Sequence, residues 1–418
     1  MPRLLLIAPE ASYHTAPFQA AGQRLGVEVM VASEGRFPVV PGQSIGLRVD
    51  FSDSSRSFRL IEALHRETPF DGVIGTDDST LELATIVATA FGLPANPPES
   101  TEISRRKDHS RVVQRDSGLR TPWFVSVAVY GRREPMVPAG VRYPCVAKPV
   151  TLSASRGVIR ANNDQELVIA LARISKISES AGSEHPRVVL IEEYIPGSEY
   201  AVEGLLEAGD WHTIAIFGKP DPLEGPFFEE TIYIAPPGLQ PGVEQEMTDN
   251  VRAACAAYGL EHGPVHAECR INEDGVWLIE LAPRTIGGKC SRILQLGTGQ
   301  ALEDIVIQNA LGRPAPVESP DGAIGVMMIP VPGPGILRRV EGIEAARHID
   351  HIEEIEIDIK PGQQLVPWPE GSSYPGFIFA RGPSENLVTD ALRSAHQALR
   401  FVIAPQLPLV IAGQQTIV

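Results

Sequence analysis

Positive charge is in short supply: 36 Lys and Arg stand against 52 Asp and Glu, a formal net charge of −16 over 418 residues. A chain this acidic repels a nucleic-acid backbone as a whole, so a nucleic-acid partner is not expected, although a local basic pocket for a nucleotide phosphate remains open. Cysteine is scarce too. Cys145, Cys255, Cys269 and Cys290 are scattered without CxxC spacing, which fits reduced thiols and argues against a disulfide framework or a structural zinc site. No run approaches the roughly 18 consecutive apolar residues that span a bilayer, so no membrane partner is expected. Met1-Pro2-Arg3 leads directly into a short apolar strand without a cleavage-site pattern, and a cytoplasmic protein is the expectation. Two phosphate-binding loops are also missing, GxGxxG and GxxxxGK[ST], so the first domain does not hold a nucleotide by either. Internal repeats and long low-complexity tracts are absent as well.

What is present is an ordinary globular composition, 43% hydrophobic, in a chain long enough for two to four domains. Apolar strands at 3–8, 27–32 and 70–75 alternate with helix-compatible segments, one beginning after Ala16 and one at Leu81–Phe91 behind an Asp77–Thr80 cap. That alternation predicts a parallel α/β domain over residues 1–98, closed by the three prolines of Pro94–Pro98. A second domain is expected over 99–320, in two parts, 99–190 and 191–320. Gly312-Arg313-Pro314 and the prolines through Pro320 mark its end. Residues 321–418 read as a small α+β domain, with strands at 323–330, 353–359 and 376–380 and a closing helix at Ser384–Leu399. The alternation Ile355-Glu356-Ile357-Asp358-Ile359 predicts a half-buried strand with its acidic side in solvent. The tail Val402–Val418 carries no recognisable chemistry. The fold class is therefore a multidomain mixture of α/β and α+β.

The stretch Gly263–Gly288, GPVHAECRINEDGVWLIELAPRTIGG, is the most informative. It reads as two strands around a tight turn. A three-residue loop Glu273-Asp274-Gly275, with Gly275 in a left-handed conformation, pairs Asn272 with Val276 and so Glu268 with Glu280. Opposed carboxylates about 5 Å apart destabilise a sheet unless a cation lies beside them. All-oxygen ligation points to Mg2+ or Mn2+ shared with substrate phosphates. A four-residue loop instead slips the register and turns the two glutamates to opposite faces.

Four further segments carry candidate chemistry, each with a plainer alternative. Lys107, in the basic segment Ser104–His109, is either a phosphate contact or a solvated surface charge. Lys148 ends a strand, Cys145-Val146-Ala147-Lys148-Pro149. The following Ser153-Ala154-Ser155-Arg156-Gly157 is either a small-residue loop whose N–H groups cradle phosphate oxygens or an ordinary polar turn. In Val188–Ile195 the strand is interrupted by Glu192-Glu193. Its exit at Tyr194-Ile195 can present backbone groups to an adenine edge, with Glu199 accepting from ribose hydroxyls. The alternative is an edge strand protected by charge.

In this order, Lys107, Lys148, Ser153–Gly157, Glu192-Glu193-Tyr194-Ile195, Glu199, and Glu268/Glu280 followed by Arg284 resemble the ATP-grasp superfamily, in its carboxylate–amine ligase and biotin-carboxylase-like branch. The resemblance covers nearly the whole chain. It implies an ATP-grasp fold and, as cofactors, ATP with Mg2+ or Mn2+. Lys107 and Lys148 would contact the phosphates beneath the loop of Ser153, Ser155 and Gly157. The hinge Glu192, Glu193, Tyr194 and Ile195 would hold adenine, and Glu199 the ribose. Glu268 and Glu280 would ligate metal, while Arg284, with Lys148, would serve catalysis. One position departs from the family pattern ExNxR: Glu280-Leu281-Ala282-Pro283-Arg284 has alanine where asparagine is usual. His266, opposite Ala282 in the expected register, or a water could take that ligand position, against the alternative of a satisfied core histidine.

The implied reaction is amide formation through an acyl phosphate, from a small-molecule carboxylate and an amine. ELAPRTIGG and GFIFARG look most like the L-amino-acid ligases, which implies amino-acid substrates, with Phe227–Thr231 as part of the acceptor pocket. A homodimer stays open as the assembly. A bicarbonate-activating enzyme and a catalytically decayed nucleotide-binding protein are the rival readings. The HxE element His266-Ala267-Glu268 resembles zinc deaminases, but no PCxxC follows it, which excludes that reading.

Overall fold

Five successive apolar residues, Leu4–Ala8, are what a strand covered on both faces requires, and all five have no solvent exposure. The computed structural model describes residues 1–10, 12–35, 46–130, 135–182, 187–313 and 316–405. The strand Arg3–Ile7 is central in a four-stranded parallel sheet, between Glu28–Ser33 and Gly72–Gly75, with Gly46–Arg48 outermost. Helices Thr15–Leu25, Ser54–Glu67 and Leu81–Ala90 connect and cover it. The expected Asp77–Thr80 cap is not a side-chain cap: the Thr80 hydroxyl donates to Asp77 O and accepts from Asp77 N–H, locking the loop instead. Pro98 does not merely end the domain but opens the helix Pro98–Arg105, where the missing N–H costs nothing.

A second, antiparallel sheet is ordered Phe124–Val129, Arg187–Glu193, Cys145–Pro149, Ile159–Ala161. Helix Asp164–Ser180, capped by the Asn163 side chain accepting from Glu166 N–H, packs its buried Leu167, Leu171 and Ile174 against it. Because Arg187–Glu193 is paired on both sides, the edge-strand alternative for Glu192-Glu193 is excluded.

The third sheet has eight antiparallel strands in the order 275–282, 263–272, 198–207, 210–219, 232–235, 323–328, 376–382, 352–357. Its last three strands lie beyond residue 321, so the sheet runs through the expected 320/321 boundary. A short sheet of 335–341, 364–365 and 400–404 completes the C-terminal part. Pro314 and residues 406–418, part of the expected boundary and tail, lie outside the described residues. Among the described residues no helix is long and apolar enough to cross a membrane. The four cysteines are free, as their spacing suggests, and all four are buried.

Candidate functional site

The strands Gly263–Asn272 and Gly275–Ala282 pair Asn272 with Gly275, so the turn holds two residues, Glu273-Asp274, not three. A two-residue turn alone would put Glu268 opposite Ile279. A bulge at Ile279 adds the missing residue, and Glu268 pairs with Glu280 and His266 with Ala282 after all. Period-two alternation then places His266, Glu268 and Arg270 on one face, while Ala267 and Cys269 enter the core on the other.

That face lines a cleft of about 820 Å³ between the N-terminal domain, the small antiparallel lobe and the large sheet, a size that suits a nucleotide-scale ligand. Lys107, Lys148, Ser153, Ser155, Glu192, Glu193, Tyr194, Ile195, Glu199, Glu268, Glu280 and Arg284 all line it. Gly157 does not; its N–H donates to Pro369 O at 2.9 Å. The N–H groups of Ser153, Ala154 and Ser155 have no acceptor among the described residues, and Ala154 and Ser155 are left-handed at φ 55° and 54°.

Lys107 is not a solvated surface charge: its ammonium donates to Leu152 O at 2.9 Å and to Glu280 Oε1 at 3.1 Å. Lys148 pairs with Glu192, whose carboxylate also receives Arg111 at 2.8 Å. Arg111 was not legible as a site residue. Fully buried, it donates to the carbonyls of Leu278 and Ile279 at 3.1 and 2.9 Å, and so ties the bulge to the Glu192–Lys148 pair. Burial pushes the Glu192 carboxyl up, but Arg111 and Lys148 outweigh it and the net value falls to about 2. Lys148 shifts the other way for a pair, below its ordinary value, because burial prevails where one carboxylate is set against the nearby Arg111 and Lys107.

At the hinge, Glu193 N–H donates to Trp123 O and Tyr194 N–H to Pro144 O. Ile195 N–H has no acceptor among the described residues, which narrows the expected adenine contact to that group. Arg270, also missed, bonds Ile195 O and the Glu199 carboxylate, each at 2.7 Å. Glu199 further accepts from Lys219 at 2.7 Å, and Lys219 reaches Glu268 at 2.9 Å and Glu230. Glu199, Glu230 and Glu268 have the donor spacing of a cation site, and the cation among them is the Lys219 ammonium. Burial raises the Glu268 carboxyl, yet Lys219 and then His266 hold it well below the usual range. Glu268 and Glu280 keep 18% and 27% side-chain exposure while Glu199 keeps 8%, so the cross-strand pair offers the more open carboxylate oxygens.

His266 resolves toward the satisfied alternative. Its Nδ1 faces the buried Glu203, its Nε2 lies 3.8 Å from Glu268, and although burial lowers its value, Glu203 raises it to about 9. An imidazolium has no lone pair for a metal. Of Phe227–Thr231, Phe228 and Glu230 line the cleft; Glu229 accepts from Val331 N–H and Thr231 donates to Asp221. The acidic strand near 355 does not simply face solvent, since Glu356 and Asp358 both pair with Lys289, the latter at 2.8 Å.

The N-terminal domain contributes residues that no motif signalled. Arg284 Nε donates to Asp78 at 2.9 Å, and His14 lines the same wall. Burial drives the His14 imidazole down to about 4. Burial also works against the Asp78 carboxylate, but Arg284 outweighs it and the net shift is downward.

Comparison with known proteins matches an ATP-grasp N-terminal domain at residues 18–95, an ATP-grasp domain at 141–293 and the L-amino acid ligase C-terminal domain 2 at 327–404. An L-amino acid ligase from Bacillus licheniformis is similar in structure with a TM-score of 0.83, at 26% identity over 97% of this chain and 99% of that one. Carnosine synthase 1 of Gallus gallus is 25% identical over 63% of this chain, which spans 30% of that protein. A D-alanine–D-alanine ligase of Pseudomonas entomophila is 28% identical over 50% of this chain, which spans 62% of the relative. With its domains matched in this order and its cleft walled by all of them, the chain belongs to the ATP-grasp superfamily of ATP- and magnesium-dependent ligases that form carbon–nitrogen bonds.

Proposed function

We propose that the protein is a carboxylate–amine ligase that joins an amino acid to a second amine through an acyl phosphate, releasing ADP and phosphate. The observation that carries this reading is the meeting, in one cleft, of the Lys107 and Lys148 ammoniums, the free N–H groups of 153–155, the Glu268/Glu280 pair and Arg284. The reading favours amide formation over bicarbonate activation because the C-terminal match is to an L-amino acid ligase domain and the structural relative of that name covers 97% of the chain. A decayed site fits less well, since the full set of charge-handling groups is retained.

ATP lies in this reading with its phosphates between Lys107, Lys148 and the 153–155 amides, its adenine edge at Ile195 N–H and its ribose near Glu199. Glu268 and Glu280 are the carboxylates suited to Mg2+, with all-oxygen donors beside the cationic phosphate contacts. When bound there, Mg2+ neutralises phosphate charge. A carboxylate oxygen of the acid substrate attacks the γ-phosphorus and the bond to the β,γ-bridging oxygen breaks, giving ADP and an acyl phosphate. The amine nitrogen then adds to the acyl carbon, the carbon–oxygen bond to phosphate breaks, and the amine loses a proton. Arg284 donates to the oxygens on which charge grows in both steps, and Asp78 orients it.

The test is a phosphate-release assay with Mg-ATP against amino acids, singly and in pairs, with products read by mass. ADP formed only with two amino acids, and an amide of matching mass, is the expected result. Formation of AMP overturns the acyl-phosphate route, dependence on bicarbonate favours a carboxylase, and binding without turnover favours a decayed site.

A further inference from the structure

The phosphate-covering loop has two sides. On the cleft side lie Ser153, Ala154 and Ser155, whose N–H groups have no acceptor among the described residues, and Lys107, which donates to Leu152 O. Apart from these, every described polar contact but one from residues 153–157 to other segments runs to a single turn of the C-terminal domain. The Trp368 indole Nε1–H donates to Ala154 O at 3.0 Å, and Gly157 N–H donates to Pro369 O at 2.9 Å. Arg156 Nε donates to Glu370 O at 3.2 Å, and the Glu370 carboxylate takes Arg173, on the helix beneath the loop, through two bonds of 2.6 and 2.7 Å. The remaining contact, Arg156 to Ser180, stays within the small lobe.

The turn that makes these bonds is rigid. Trp368 is buried among Val331, Leu337 and Leu365. Gly371 N–H closes the turn onto Pro367 O, and a Cβ at Gly371 would come within 2.0 Å of Val366 O, so only glycine fits. The turn also reaches the cleft. Ser372, Ser373 and Tyr374 line it, and the Tyr374 ring packs on Trp368 with centroids 4.8 Å apart.

We propose that Trp368 is a positioning residue for the ATP phosphates: its indole bond, with the Glu370–Arg173 pair, fixes the 151–158 loop in the conformation that aims its amides at them. Two consecutive non-glycine residues in the left-handed region, Ala154 and Ser155, are unfavourable by themselves and persist where surrounding contacts over-determine them. Two backbone bonds within the loop, Arg156 N–H to Ser153 O and Val158 N–H to Ser155 O, and Lys107 on Leu152 O hold it locally, and the bonds that anchor Ala154 O, Arg156 and Gly157 come from the C-terminal domain. This assignment rests on the loop being the phosphate loop of the proposed ligase.

The experiment is calorimetric binding of two probes, the Mg2+ complex of the β,γ-imido ATP analogue and adenosine, to wild type, W368F and E370A. Phenylalanine keeps the ring in its apolar site but removes the donor to Ala154 O. Wild type is expected to prefer the analogue. In W368F the preference falls by about tenfold, the scale of one buried hydrogen bond, while adenosine affinity is unchanged. A W368F protein that keeps the full preference, or weakens both probes equally as a merely structural role would, overturns the proposal. Absence of any preference in wild type instead overturns the phosphate-loop reading on which it rests. If W368F does not fold by thermal melting, E370A decides, because its ion pair is half-exposed: about a threefold loss of preference is expected, and an unchanged ratio overturns the proposal.

Discussion

Glu268 and Glu280 are direct cross-strand partners, and the bulge at Ile279 that keeps them opposite is held by Arg111 through the carbonyls of Leu278 and Ile279. Two carboxylates so placed repel each other, and Lys219 beside Glu268 and Lys107 beside Glu280 answer them in the folded protein, so neutralising each in turn separates folding from catalysis. E268Q and E280Q are each expected to lower ADP formation by about a hundredfold or more and to raise the Mg2+ concentration needed for half-maximal rate. Their melting temperatures should fall more for E268Q, whose carboxylate answers the buried Lys219, than for E280Q, whose more exposed partner Lys107 keeps its bond to Leu152 O. Rates measured across a Mg2+ titration, beside thermal melts, check both points.

Arg284 is expected to act on charge that develops during the reaction. R284A should lower turnover about a hundredfold to a thousandfold with little change in the KM for ATP, the pattern of an interaction made mainly in the transition state. D78N, which leaves Arg284 its charge but removes its carboxylate partner, should cost less. Steady-state kinetics in both substrates distinguish the two.

The Arg111–Glu192–Lys148 network predicts an acid limit on stability. The Glu192 value is depressed in the folded state, from 4.5 to about 2. Its contribution is therefore fully present above about pH 4.5 and is lost as pH falls toward 2. The shift corresponds to roughly 3 kcal/mol, part of which the lowered value of Lys148 offsets. R111A leaves Glu192 buried with one cation instead of two and should destabilise by about 3–5 kcal/mol. Urea unfolding between pH 2 and 7 is the measurement. In R111A the loss of stability on acidification should be smaller, because less of the pairing remains to be lost.

His266 predicts a limit at the other end. Its folded-state value is raised from 6.5 to about 9 by Glu203, so its contribution is complete below about pH 6.5 and disappears as pH rises through 9. Glu203 is itself pushed up by burial, which opposes part of that gain. H266Q should flatten the alkaline fall in stability and leave the Mg2+ dependence of turnover unchanged. A shifted Mg2+ requirement would restore the ligand role of His266 opposite Ala282.

Much of the site follows from local sequence. Lys148 at a strand end, a loop of small residues after it and alternation through His266-Ala267-Glu268-Cys269-Arg270 are all consequences of one segment's own geometry, and the site residues they indicate line the cleft, Gly157 excepted. The same alternation could have drawn attention to Arg270. The turn shows where this kind of inference fails: counting loop residues gave the right pairing of Glu268 with Glu280 from a wrong turn, because a bulge several residues away supplied the compensation.

The sequence by itself determined the order of the elements, the alternation that sets which side chains share a face, and which lysines and carboxylates were candidates for one site, since these depend on short-range periodicity and residue chemistry. Only the tertiary structure decided that Arg111 braces the bulge, that Lys219 lies among three carboxylates, that Asp78 from the first domain meets Arg284, and that Trp368 bonds the loop at Ala154. Those contacts join residues 81 to 214 positions apart for the pairs Arg111–Glu192, Asp78–Arg284 and Trp368–Ala154. Burial fixes their charge states and partners, and burial belongs to the packed domains, not to any one segment.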